Sequence, residues 1–94
     1  MSVEELAAKY ISSAETVFNQ MEREKTPVTA DEKRVADIIK YAADYLEDAK
    51  YYKAQKKFET SLTSIAYCEG LLDALKLLGA VKFEWPTNPK TTKP

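Results

Sequence analysis

Apolar residues recur along this chain at spacings of three and four, the period of a helix buried along one side. Val3, Leu6, Ala7, Tyr10, Ala14, Val17, Phe18 and Met21 form the first stripe. Ser2 with Glu5 makes a capping box at its start. Arg23 and Lys25 fall where cations favour the C-terminal pole of a helix. A helix is therefore predicted over residues 2–24. Thr26-Pro27-Val28 interrupts it, because proline cannot continue a helix and biases the residue before it away from one.

A second stripe starts after another capping-box pattern, Thr29 with Glu32. Val35, Ile38, Ala42, Tyr45, Ala49 and Tyr52 make a heptad-like seam, which Ile39 and Leu46 widen. The opposite face carries Lys33, Arg34, Asp37, Lys40, Asp44, Glu47 and Lys50, mixed in sign and suited to water. A helix is predicted over residues 30–53. No breaker follows it, and an uninterrupted helix to Leu78 would be a rod of about 75 Å. The apolar phase restarts at Phe58 and runs through Leu62, Ile65, Cys68, Leu72, Leu75 and Leu78. Lysines gather just before that restart, so a turn is expected at Ala54–Lys57 and a third helix over 57–78. Gly79 is a natural left-handed cap. Gly70 lies inside the third helix, where it most simply allows a close approach between helices.

Three amphipathic helices with short joins predict an all-α protein. Its expected form is a three-helix up-and-down antiparallel bundle over residues 1–81, followed by a short, extended, partly disordered C-terminal tail over 82–94. Within that tail, Phe83 and Trp85 are expected to lie on the bundle as a lid, since a lone exposed tryptophan is poorly tolerated; the alternative is a peptide for a partner.

Composition narrows the function classes. The 94 residues are 45 % hydrophobic and 31 % charged, enough for one globular core. A formal net charge of −1 gives no global attraction to nucleic acid or an anionic membrane. No apolar run is long enough to span a bilayer, and the acidic, amphipathic start does not resemble a signal peptide. With a single cysteine, Cys68, these features predict a cytoplasmic protein. Cys68 itself reads as a small buried hydrophobe.

The chain has no histidine. Serine–histidine and cysteine–histidine nucleophiles, histidine bases and histidine-containing metal sites are excluded. Asp37, Asp44 and Asp48 share one helical face, and Glu69 and Asp73 form a second pair. They lack the inward glutamates or Glu-x-x-His motifs of a di-metal bundle and read as solvated carboxylates. No catalytic residue, metal ligand or cofactor is expected, and the protein is expected not to be an enzyme. Tyr45 and Tyr67, on adjacent helices, could reach Asp48 or Asp73 with their hydroxyls.

Two surfaces remain as candidates. The first is an aromatic contact surface at the ends of the second and third helices: Tyr51, Tyr52, Lys53, Lys56 and Lys57, with Trp85 in the tail. It suits an unidentified protein partner or a second copy of the chain. The alternative is a nucleic-acid-associated module, in which the lysines of the Lys50–Lys57 turn neutralise phosphates beside aromatic rings. No membrane contact is expected.

Tyr45-Leu46-Glu47-Asp48-Ala49, then Tyr67-Cys68-Glu69-Gly70-Leu71-Leu72-Asp73-Ala74 and a closing Gly79, resemble an archaeal family of short proteins, domain-of-unknown-function family 357. Its pattern is Tyr-x-x-Asp-Ala, a Lys-Gly-Asp turn, Tyr-Ala-x-Gly-Leu-Leu-Asp-Ala and a glycine. The likeness covers residues 35–79 strongly and the first helix loosely. At the turn this chain departs from it, with Gln55-Lys56-Lys57. The resemblance implies a three-helix bundle and an archaeal, cytoplasmic protein, and it implies no activity. It marks Tyr45, Asp48, Ala49, Tyr67, Gly70, Asp73 and Gly79 as the positions that match the family's motif.

Overall fold

In the computed structural model, which describes residues 1–24 and 31–86, the capping box closes as expected. The Glu5 amide donates to Ser2 Oγ at 3.1 Å, and the Ser2 amide donates to Glu5 Oε1 at 3.2 Å. Helix α1 runs over Val3–Gln20 and buries Ala7, Ile11, Ala14 and Val17. It ends four residues short of the expected boundary. Met21 is extended, and strand β1, Glu22–Arg23, pairs antiparallel with strand β2, Val81–Lys82. The Glu24 amide then donates to the Ala80 carbonyl at 3.0 Å. Local propensity would allow another helical turn. The backbone of a distant segment satisfies these amides instead, so tertiary pairing overrides it.

Thr26-Pro27-Val28 and Thr29 lie outside the described residues. Helix α2 covers Glu32–Ala54, and its N-cap is Asp31, whose Oδ1 accepts from the Lys33 amide at 3.0 Å. Val35, Ala42, Leu46 and Ala49 are buried, while Ile38, Ile39 and Tyr45 pack around them half-covered.

The expected turn is present. Helix α2 stops at Ala54, and helix α3 covers Phe58–Leu77. Lys56 has φ 62°, in the left-handed region. The Lys57 amide donates back to the Tyr52 carbonyl and the Lys56 amide to the Lys53 carbonyl. That pair of bonds is a Schellman motif, with lysine where glycine is usual. The same motif closes α3: Gly79 has φ 77°, and the Ala80 and Gly79 amides donate to the Leu75 and Lys76 carbonyls.

Helix α3 turns Ser61, Ile65, Cys68, Leu72 and Leu75 into the core, a strict four–three alternation. Leu78, expected in that stripe, is half-exposed. Tyr45 beside Tyr67, and Ser61 bonded to Ala49, set α2 and α3 antiparallel. Ala8 and Ile11 lie with Lys53 and Ala54, and Phe18 and Asn19 lie with Ala43 and Leu46, so α1 and α2 are antiparallel too. The order is up, down, up. The core extends past Val81 to Phe83, which is 4 % exposed. Phe83 and Trp85 meet edge-on with ring centres 5.2 Å apart, so the lid expected at this segment is formed. Residues 87–94, the rest of the expected tail, lie outside the described residues.

Candidate interaction face

A helix on the outside of a small bundle normally turns charge toward water. Helix α2 does so, exposing Glu32, Lys33, Arg34, Asp37, Lys40, Asp44, Glu47 and Asp48. Helix α3 does not. From Ser61 to Leu77, its exposed residues are Thr63, Ala66, Tyr67, Gly70, Ala74 and Leu77, and none is charged. Leu77 is 88 % exposed, Tyr67 60 % and Leu78, just past the helix, 50 %. One side of α3 lies on the core, and the other is an uncharged strip four turns long.

Each edge of this strip is held by a specific contact. On the α2 side, the rings of Tyr45 and Tyr67 stack at 5.1 Å, 17° from parallel. Their hydroxyls reach neither Asp48 nor Asp73, so the hydrogen bonds expected there do not form. Tyr41, one turn earlier on α2, is 59 % exposed. On the other side, Trp85 Nε1 donates to Asp73 Oδ1 at 2.6 Å. Lys76 there meets Glu84 Oε2 at 3.4 Å and lies 5.1 Å from the centre of the Phe83 ring. Asp73, Lys76 and Glu84 are thus engaged along its rim.

Gly70 sits in the middle. It is exposed, and a side-chain carbon added there would meet nothing within 4 Å. The close helix approach expected of Gly70 is therefore not made within the bundle. An interior helical glycine costs about 1 kcal/mol against alanine, and no packing contact of the monomer offsets it. With Ala66, Tyr67 and Leu71, Gly70 lines an open hollow of about 330 Å³.

The lysine turn is arranged differently from this strip. Lys50 binds Glu15 at 3.0 Å and Glu47 at 3.4 Å. Its hydrogen bond to Glu15 is the main cause raising its pKa, against the opposing effect of burial. Lys56 and Lys57 are exposed, and Lys53 is half-buried. Tyr51 is 60 % exposed and meets the half-buried Tyr52 edge-on at 5.4 Å. Trp85 is not brought to this end. Its partner Asp73 lies sixteen residues along α3 from Lys57, about 24 Å away at the helical rise.

The motif positions divide by role. Ala49 and Gly79 serve the fold, the first under the Ser61 bond and the second as the cap of α3. Tyr45, Tyr67, Gly70 and Asp73 line or edge the uncharged strip. Asp48 is exposed on α2. Among the carboxylates, Asp44 pairs with Lys40 at 3.0 Å, and the described residues include no group of three or more that could hold a metal ion. Cys68 is fully buried. That burial, with a smaller contribution from the charge of Glu69, pushes its thiol up to about 12.

Sequence reasoning missed Tyr41, Ala66, Ala74 and Leu77 as surface features. The signal was present: between Ser61 and Leu78 the charged residues are Glu69, Asp73 and Lys76, all toward one side of the helix. Two apolar sides remained, and only one could face the core.

No helix of the described residues is long and apolar enough to cross a membrane. No curated protein and no solved structure matches the chain. Residues 9–81 match a family described as protein of unknown function (DUF357), and the chain belongs to that family.

Proposed function

We propose that this member of the DUF357 family is a small, non-catalytic protein-interaction module whose contact surface is the outer face of α3. The observation that carries this reading is the uncharged run of exposed residues from Thr63 to Leu77, beside an α2 whose exposed residues are mostly charged. A contiguous exposed apolar patch on a soluble domain marks a place where another surface docks. Tyrosines at its edge suit such contacts, because their rings add area with little conformational entropy to lose. Tyr67 and Tyr41 stand there, each more than half exposed. The turn at Lys53, Lys56 and Lys57 is the alternative contact point, for nucleic acid. It has fewer available cations than the sequence suggests, since Lys50 is bound to two glutamates.

The test is affinity capture with the immobilised protein and with its Ala74→Glu variant, each with and without nuclease. Ala74 is exposed, so glutamate there leaves the core untouched. Partners that survive nuclease and are lost with Ala74→Glu support the reading. Material that depends on nucleic acid and is indifferent to Ala74→Glu overturns it in favour of the lysine turn.

A further inference from the structure

We propose that the outer face of α3 pairs antiparallel with the same face of a second copy of this chain, across a two-fold axis at Gly70. This rests on the interaction reading above and names the partner.

The face is unequal along its length. Its C-terminal half carries the exposed Leu77 and Leu78 with the small Ala74, and its N-terminal half carries Tyr67 with the smaller Thr60, Thr63 and Ala66. Antiparallel pairing about Gly70 sets residue 70 − n of one copy at the level of residue 70 + n of the other. Ala66 then faces Ala74, and Leu77 reaches the level of Thr63. Tyr67 falls between Leu71 and Ala74 of the second copy. Leu77 thus meets the smaller Thr63, the small Ala66 and Ala74 meet each other, and the bare backbone at Gly70 meets its own counterpart. An isologous two-fold contact requires this self-complementarity.

Charge selects the same arrangement. Beyond the N-terminal end of the strip stand the exposed Lys56, Lys57 and Glu59; at the C-terminal end of the bundle stand the exposed Lys82, Glu22 and Glu84. Antiparallel pairing brings each Glu59 to the end that carries the other copy's Lys82. Parallel pairing would set Glu59 against Glu59, the lysine turns against each other, and Leu77 against Leu77. Opposed helix dipoles also favour the antiparallel form. A strip of about 22 Å is at the small end for a specific interface, so the expected affinity is micromolar or weaker.

The test is sedimentation equilibrium of the purified full chain from micromolar to near-millimolar concentration, with the Gly70→Glu variant beside it. Open space at Gly70 lets that variant fold, and its melting temperature confirms it. The expected result is a monomer–dimer equilibrium whose dissociation constant rises at least tenfold in Gly70→Glu. A monomer at every concentration, or a dimer unaffected by Gly70→Glu, overturns the proposal. Direction is read by oxidising mixed single variants. Ala66→Cys with Ala74→Cys should cross-link to each other faster than either to itself, and the reverse preference overturns the antiparallel register. The two readings fail separately. A monomeric protein that still captures partners through Ala74 keeps the interaction module and removes only the self-pairing.

Discussion

The indole N–H of Trp85 donates to the carboxylate of Asp73 at 2.6 Å, tying the segment after β2 to the flank of α3. Trp85 is the only tryptophan in the chain, so its emission reports on this contact. A hydrogen bond to a charged acceptor contributes about 1.5–3 kcal/mol. Asp73→Ala is expected to shift the emission to the red and to lower stability by about 1–2 kcal/mol. Asp73→Asn, which keeps an acceptor, should do less of both. Identical emission in all three proteins would show that the bond does not hold the ring in place.

Lys56 and Gly79 occupy equivalent positions at the C-termini of α2 and α3, both left-handed. The backbone is the same and the residue is not. A side chain in this region costs about 1 kcal/mol that glycine avoids. Lys56→Gly should therefore raise unfolding free energy by about 0.5–1 kcal/mol, and Gly79→Ala should lower it by about 1 kcal/mol. Urea denaturation of the two variants measures both signs.

The hydroxyl of Ser61 donates to the carbonyl of Ala49 at 2.7 Å, in the core between α2 and α3. Ser61→Ala removes the donor and leaves little space behind. The carbonyl remains the acceptor of its own helical bond. A loss of about 1 kcal/mol is expected from chemical denaturation. A loss above about 3 kcal/mol would mean that the contact organises more of the core than one bond.

Burial keeps the Cys68 thiol neutral to about pH 12. In the folded protein it should resist thiol reagents at neutral pH and react only on unfolding. The unfolded thiol ionises near its ordinary value, about 9. Stability from this group is complete below that pH and declines as the pH rises through about 12, by at most about 1.4 kcal/mol per pH unit. Cys68→Ala should flatten the alkaline limb of a stability profile, the other titrating groups being common to both proteins.

Much of the bundle was legible in the chain because its signals are local. The Ser2–Glu5 box, the phase restart at Phe58 and the Gly79 cap each involve residues within a few positions of one another. The turn at Lys56 was legible too, although lysine replaces the expected glycine, because periodicity marks a turn independently of the residue that makes it. The candidate surface was less legible. Tyrosines and lysines at the turn stood out by composition, whereas the strip on α3 consists of ordinary residues whose meaning depends on being left uncovered.

By itself the sequence determined that three helices form, where α2 gives way to α3, and that the Ser2–Glu5 box opens α1 and Gly79 closes α3, since spacing and side-chain-to-backbone bonding act within a turn or two of helix. The tertiary structure alone decided the rest. It ended α1 at Gln20 by pairing Glu22–Arg23 with Val81–Lys82. It gave Asp73 to Trp85 rather than to a tyrosine. It also left the second side of α3 uncovered: Ile65, Cys68, Leu72 and Leu75 were legible as the buried stripe, but whether a neighbour covers Ala66, Gly70, Ala74 and Leu77 depends on how the other helices pack.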